Sequence, residues 1–105
     1  MNRMLMLNLQ KQKRWEDPDY IKWVCEQVCS CCQEPGTEYD PMDPHHLIGI
    51  GGISMGMGTK APDQWAMPLK RSCHIRWHQK PNYEIQYEWV ARTLAKAVEE
   101  GVLTV

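Results

Sequence analysis

The chain has 105 residues, the length of one small domain whose hydrophobic core is marginal without a metal ion or a partner subunit. Its 12 Lys and Arg residues and 13 Asp and Glu residues give a formal net charge of −1, which argues against a nucleic-acid-binding protein with a generally basic surface. We recognise no signal peptide and no stretch long enough to span a membrane, so we expect a cytoplasmic protein whose five Cys are reduced.

The first part of the chain predicts an N-terminal arm and one helix. Residues 1–14 are rich in Met and basic residues and lack periodicity, so we treat them as an arm ahead of a single domain at 15–105. A helix is expected from Pro18 to Val28, because Asp17 is a favourable N-cap and the apolar residues have helical spacing. The segment 33–44 contains several prolines, among them Pro44, which predict turns and no regular element.

The second part of the chain predicts two short strands and two helices. Short apolar runs favour strands at 45–50 and 65–69, with a Gly-rich loop at 49–60 between them. Helices are expected at 71–79 and 83–100, and Gly101 is expected to end the second one. This order of elements predicts a small α+β domain.

All four histidines lie in two places, His45-His46 and His74-x3-His78. His74 and His78 are four residues apart, so on a helix they share one face and can chelate one cation, with His45 as a third imidazole. Neighbouring residues on a strand point to opposite sides, so His46 reaches the same site only if the strand is distorted. The alternative is that these are ordinary surface or core histidines.

The cysteines suggest a second metal site. Cys29-x2-Cys32 has the spacing of half a zinc site, and Cys73 is the single cysteine further along the chain that can add to it. Lys70 stands where a second Cys-x2-Cys pair would place its first cysteine, and a protonated lysine is a poor ligand. The sequence thus predicts a zinc site with three named ligands.

Asp63 and the Gly-rich loop each allow two interpretations. Asp63 can accept a hydrogen bond from a catalytic histidine and so orient it, or it can be a turn residue after Pro62. The glycines of the loop can bring backbone close to a phosphate, but the Gly-Lys-Ser/Thr ending of a phosphate-binding P-loop is absent. A loop without a ligand is the alternative.

Together these motifs resemble the HNH nucleases, also called the ββα-metal or His-Me finger superfamily. The resemblance is to a phage and prophage subgroup that includes the RecA-dependent nuclease Ref, and it covers about residues 15–80. The matching elements are Cys29-x2-Cys32, Pro44-His45-His46-Leu47-Ile48-Gly49, the stretch from Gly56 to Lys60 with Asp63, and Pro68-Leu69 followed by Cys73-His74-x3-His78.

The resemblance implies a small ββα-metal domain over residues 15–105 with a zinc knuckle of the treble-clef type. An N-terminal helix and a long C-terminal helix would flank this domain. It also implies that the cysteine site holds a structural zinc ion. Lys70 departs from the pattern of the family, so two alternatives stay open: Cys25 or Cys31 supplies the fourth ligand, or the site holds zinc weakly.

The resemblance also implies a mechanism for the histidine site. His45, His74 and His78 would bind one catalytic divalent cation, which could be Mg, Mn, Ni or Zn. His46 would remove a proton from the attacking water, and Asp63 would hold His46 in the correct tautomer. The cation would stabilise charge on the phosphate and on the leaving 3′-oxygen.

The function implied is an endonuclease that hydrolyses DNA phosphodiesters in phage recombination or repair. Its partners would be DNA and a recombinase or another recombination protein, with a homodimer as one oligomeric possibility and no membrane. The alternative is a non-catalytic, zinc-stabilised module that binds DNA or protein, which the low net charge favours.

Overall fold

The structure, a computed structural model, describes residues 15–49 and 61–104. These two ranges contain three α-helices, two antiparallel strands and a short 3-10 helix, which confirms the expected α+β class for them. The elements are α1 (Pro18–Cys25), β1 (Met42–His46), the 3-10 helix (Asp63–Trp65), β2 (Ala66–Lys70), α2 (Arg71–Gln79) and α3 (Ile85–Glu99). The expected arm at 1–14 and most of the expected Gly-rich loop lie outside the described residues.

Helix α1 begins as expected but is shorter. The Asp17 side chain accepts a hydrogen bond from the Tyr20 backbone N–H at 3.1 Å, the contact of an N-cap. The expected end at Val28 is wrong, because the helix ends at Cys25. The following N–H groups of Glu26 and Gln27 bond three residues back, which tightens the last turn before the chain leaves the helix axis.

The first strand occupies residues 42–46 instead of the expected 45–50. The expectation failed because Pro44 was read as a breaker, whereas it pairs with Pro68 in the antiparallel register. Neither proline has an N–H to donate, and a two-stranded sheet tolerates this because each strand has an open outer edge. Strand β2 starts one residue later than expected, since Trp65 completes the 3-10 helix and its N–H donates to Pro62 O at 2.9 Å.

Helix α2 has the expected bounds and follows β2 without a connecting loop. Helix α3 starts at Ile85, two residues later than expected, and the side chain of Asn82 accepts the Ile85 N–H at 3.3 Å. It ends as expected before Gly101, whose φ of +77° permits the Val102 N–H to bond back to Ala97 O at 2.8 Å.

The hydrophobic core lies between the sheet and helices α2 and α3, with a smaller cluster joining α1 to α3. The main cluster comprises Cys29, Leu47, Ala61, Met67, Leu69, Cys73, Trp77, Trp89 and Val90. Tyr20, Val24 and Ala97 form the second cluster. Trp89 is buried, whereas Trp15 is 39% exposed. No helix within the described ranges combines the length and apolar character that a membrane span requires.

Candidate functional site

Three histidine side chains converge where β1 meets α2. The Nδ1 atom of His45 lies 3.0 Å from Nε2 of His74, which lies 3.1 Å from Nε2 of His78. One ligand nitrogen from each ring lies within 4.8 Å of the others. Zn–N bonds of 2.0–2.1 Å in a tetrahedral site separate ligand nitrogens by about 3.4 Å. The donor set and its spacing therefore fit one divalent cation after small side-chain shifts.

Hydrogen bonds on the far sides of two rings determine which nitrogen faces the centre. His74 directs Nδ1 to Oδ2 of Asp43 at 3.2 Å, so a proton on Nδ1 leaves Nε2 as the acceptor. His45 directs Nε2 to Oε1 of Gln86 at 2.8 Å, which leaves Nδ1 as the acceptor. Ligand histidines in metal sites usually donate their other ring N–H in this way.

The electrostatic environment favours neutral imidazoles at His45 and His78. Burial lowers the pKa of His45 to about 4. The hydrogen bond to Gln86 opposes this by raising the pKa, whereas the nearby His74 and His78 lower it further. Burial, followed by the charge of His74, also lowers the pKa of His78. Because only the unprotonated nitrogen can bind a cation, both shifts keep the rings in the metal-binding form near neutral pH.

His46 lies beside this group and contacts the carboxylate of Asp63. Its Nε2 lies 2.9 Å from Oδ1 of Asp63, and the second oxygen of Asp63 accepts the backbone N–H of Asp17 at 2.7 Å. Asp63 is buried, and its backbone N–H donates to Trp15 O. Asp63 starts the 3-10 helix after Pro62, as expected of a turn residue, and its carboxylate also contacts His46.

One open cleft connects His46 to the three convergent rings. It is lined by Pro44, His45, His46, Ile48, His74 and His78. His46 is the last residue of β1, where the ladder ends, so its ring can line the same cleft as that of His45 despite their adjacent positions.

The three expected cysteine ligands also lie together. The Sγ atoms of Cys29, Cys32 and Cys73 are within 4.8 Å of one another. A hydrogen bond of 2.9 Å from the Gln33 N–H to Cys29 O closes the turn. Gln33 itself has a positive φ of +65°. Among the described residues, Cys25 and Cys31 do not join this group, so neither supplies the expected fourth ligand.

Burial and hydrogen bonds act in opposite directions on the pKa values of the two buried thiols, Cys29 and Cys73. Burial opposes ionisation of Cys29, but backbone N–H groups, including that of Lys70 at 3.3 Å from Sγ, lower its pKa. Burial raises the pKa of the Cys73 thiol to about 12, and the neighbouring Cys29 adds to this. The Arg76 guanidinium donates to Cys73 Sγ at 3.2 Å and so supplies positive charge beside the sulfurs. Three sulfur donors of this kind can bind a metal such as zinc.

The Lys70 side chain does not serve as a ligand in place of the expected cysteine. Its ammonium lies 3.3 Å from Oε1 of Glu34 and 3.7 Å from Oδ2 of Asp40. Although burial lowers the pKa of Lys70, the hydrogen bond to Glu34 and the surrounding negative charge raise it further, so the amine stays protonated. Lys70 contributes its backbone N–H to the cysteine site instead.

Sequence reasoning missed two residues of the histidine site, Asp43 and Gln86. Asp43 had a signal, because it lies two residues before His45 and so faces the same side of an extended strand. Gln86 had a weaker signal, as a polar residue at helical spacing from Trp89 and Val90 on the buried face of α3.

Comparisons with known proteins provide a family but no activity. The family described as "Protein of unknown function (DUF968)" matches residues 3–101. The uncharacterized protein YdfU of Escherichia coli strain K12 is 39% identical over 102 residues, which is 92% of this chain. The chain spans 27% of the length of that relative. No solved structure matches.

Proposed function

The chain belongs to the DUF968 family, and we propose that it carries the site of a metal-dependent endonuclease of the HNH type. The proposed reaction is hydrolysis of DNA phosphodiester bonds. The proposed fold is the ββα-metal unit formed by β1, β2 and α2, with a zinc knuckle built on the cysteine group. The family description and the uncharacterized relative record no activity, so the proposal depends on the geometry of the site.

The observation that carries the proposal is a fourth histidine beside a three-imidazole group. His46 lines the same cleft as that group, but it is not among the residues that converge on one point. Its Nε2 is engaged by Asp63, so Nδ1 is the nitrogen suited to accept a proton. A purely structural metal site needs three or four ligands and has no need of an oriented base beside them.

In the proposed hydrolysis, His46 and Asp63 have different roles. His46 takes a proton from water through Nδ1, and the oxygen of that water forms a bond to phosphorus as the bond to the 3′-oxygen breaks. The 3′-oxygen leaves with the electron pair of that bond and takes a proton from solvent. Asp63 stabilises the imidazolium that forms and keeps the ring oriented. His46 is partly exposed, so solvent can remove its proton and reset the base.

His45, His74 and His78 would hold the cation that this chemistry requires. When bound there, a divalent cation supplies Lewis-acid stabilisation of the negative charge that develops on the phosphate oxygens. Three imidazoles favour borderline transition ions, whereas Mg prefers oxygen ligands. The activating metal is therefore left for experiment to identify.

The first test is plasmid cleavage by metal-stripped protein to which Mg, Mn, Ni or Zn is returned. The wild-type protein is expected to nick or linearise the plasmid with at least one of these ions. His46→Ala is expected to lose cleavage by about 100-fold or more while it binds the same amount of metal, because it lacks the base and keeps the ligands. His78→Ala is expected to lose both cleavage and metal at this site.

Gln79→Ala is the matched control, because Gln79 is exposed on the same helix and is not a member of the candidate site. It should cleave as the wild type does. Cleavage by His46→Ala at the wild-type rate would refute the assignment of the base. Absence of cleavage with every ion, in protein that is folded, would refute the nuclease.

The second candidate is a non-catalytic, zinc-stabilised module that binds DNA or protein. The net charge of −1 favours the protein-binding form of this candidate, because both a nuclease and a DNA-binding module usually use positive charge to hold DNA. It predicts zinc in the cysteine group, no cleavage with any ion, and binding to a partner that survives His46→Ala. The plasmid experiment therefore distinguishes the two candidates.

A further inference from the structure

Gln86 is a fully buried amide that touches the histidine site without belonging to its ligand group. It lies in the first turn of α3 and has no solvent exposure. Its side chain reaches His45 across 41 positions of sequence. Burying an amide costs free energy unless its hydrogen bonds are made. The hydrogen bonds of Gln86 therefore show which groups its side chain holds in place.

The orientation of the Gln86 amide is set by the backbone around it. Its Nε2 donates to the carbonyls of Ile48 and Tyr83, both at 3.0 Å. Its Oε1 accepts the Ile48 N–H at 3.2 Å. The opposite orientation would place the amide nitrogen against an N–H and the oxygen against two carbonyls, so it is excluded.

The remaining capacity of Oε1 is used by His45 Nε2 at 2.8 Å, so the amide makes all four hydrogen bonds available to it. An oxygen can only accept, so Nε2 of His45 must carry the proton. The unprotonated nitrogen is then Nδ1, which faces His74 Nε2 at 3.0 Å. The buried amide thus dictates the tautomer of the ring.

We propose that Gln86 is a positioning residue of the candidate metal site, which fixes His45 as a ligand through Nδ1. His74 and His78 face the same point through Nε2, so the ligand set is one Nδ1 and two Nε2 atoms. This inference rests on the proposed metal site. It adds a residue and a ligand atom that neither the motifs nor the family description assigns.

The first measurement is the tautomer of His45 in protein that holds one equivalent of zinc in the cysteine group, from long-range ¹H–¹⁵N NMR correlations. The wild type is expected to have a proton on Nε2 and an unprotonated Nδ1. Addition of diamagnetic Zn should then shift the His45 Nδ1 resonance and the Nε2 resonances of His74 and His78. A proton on Nδ1 of His45 in the wild type, or loss of the Nε2 proton when the cation is added, would overturn the proposal.

The second measurement separates positioning from structural support. Gln86→Glu keeps an acceptor for His45, whereas Gln86→Met has a similar size and offers none. Both lose the two bonds donated to the carbonyls of Ile48 and Tyr83. Nickel affinity of protein that already holds one equivalent of zinc is measured by calorimetry. We expect Gln86→Met to weaken it by about 10–100-fold and Gln86→Glu to stay near the wild type.

Thr93→Val is the matched control for loss of a buried hydrogen bond on the same helix, because Thr93 bonds only within α3, to Trp89 O. It should bind nickel as the wild type does. Equal losses in Gln86→Glu and Gln86→Met would overturn the positioning role and leave a purely structural one. A wild-type protein that binds no second cation would overturn the proposed metal site, whereas the tautomer measurement would still decide the role of Gln86.

Discussion

At the scale of one residue, the Asp63 carboxylate contacts both the candidate base His46 and the start of helix α1. One of its oxygens accepts the His46 ring N–H and the other accepts the Asp17 backbone N–H, where α1 begins. The residue is buried, so both bonds are made in a region of low dielectric constant and are stronger than on the surface. The His46 ring is therefore oriented by the packing of α1 against the 3-10 helix.

Asp63→Asn is expected to lower cleavage by at least about tenfold while leaving the metal content unchanged. Asparagine can still accept a bond from His46, but it lacks the negative charge that stabilises the imidazolium. Cleavage rate and metal content are measured on the same preparations, with Asp19→Asn as an exposed control in α1. Unchanged cleavage would mean that Asp63 serves α1 alone.

Tyr20 illustrates a buried group that the proposed activity does not use. It is 1% exposed, and its hydroxyl has no hydrogen-bond partner among the described residues. Burial, aided by the charge of Asp17, raises its pKa from 10.0 to about 12. The unfolded chain therefore loses this proton at lower pH than the folded protein, and the stability that Tyr20 contributes is lost as the pH rises from 10 towards 12.

Tyr20→Phe is expected to leave the free energy of unfolding near pH 8 unchanged or slightly higher, since no bond to a described residue is lost. Towards pH 12 it should be more stable than the wild type by about 2 kcal/mol. The reason is that Tyr20 ionises more readily in the unfolded wild-type chain than in the folded protein, whereas Phe does not ionise. Urea unfolding followed by Trp fluorescence measures both. Tyr39→Phe, at a site 92% exposed, should track the wild type at every pH.

At the scale of elements, α2 carries most of the candidate chemistry but has no N-cap side chain of its own. Lys70 at its N-cap makes no capping bond. Asp40 supplies the cap from 32 residues away, accepting the Ser72 N–H at 2.9 Å and the Ser72 hydroxyl at 2.6 Å. These bonds lower the pKa of Asp40, so its negative charge persists at the positive end of the helix dipole.

Asp40→Ala is expected to lower the melting temperature by a few degrees and to weaken metal binding at both groups, because α2 carries Cys73, His74 and His78. Asp40→Asn should have a smaller effect, since its oxygen can still accept the Ser72 N–H. Thermal unfolding and metal titration check both expectations. An alanine variant as stable as the wild type would show that α2 is held by packing alone.

At the scale of the whole molecule, the cysteine group connects parts of the chain that are far apart in sequence. Cys29 and Cys32 follow α1, whereas Cys73 lies in α2. The Ser30 N–H also donates to Pro68 O at 2.8 Å, which joins the cysteine turn to the open edge of β2. A metal at this position would hold α1, the sheet and α2 together, which matters in a chain with a small core.

Cys73→Ser is expected to lose about one equivalent of zinc and to unfold at a markedly lower temperature, as is typical when a structural zinc site is removed. Cys31→Ser should retain both the zinc and the stability, since Cys31 is exposed and lies outside the group. Elemental analysis and thermal unfolding give the two readouts. Equal zinc content in the two variants would exclude the cysteine group as the zinc site.

Local features were predictable to the extent that they depend on neighbouring residues. The Asp17 cap, the bounds of α2 and the stop at Gly101 follow from contacts within a few positions of sequence. The bounds of β1 were wrong because strand formation depends on a partner, and the pairing of Pro44 with Pro68 is visible only when both strands are placed.

The sequence by itself determined the α+β class and the two groups of candidate ligands, because helical spacing and the spacing of Cys and His are local properties of the chain. Only the tertiary structure decided how these ligands are held. Gln86 orients His45 across 41 positions, and Asp43 orients His74 across 31. Such contacts arise from the packing of α3 and β1 around the site, and the periodicity that places Asp43 and Gln86 on their faces does not identify the histidine that each one contacts.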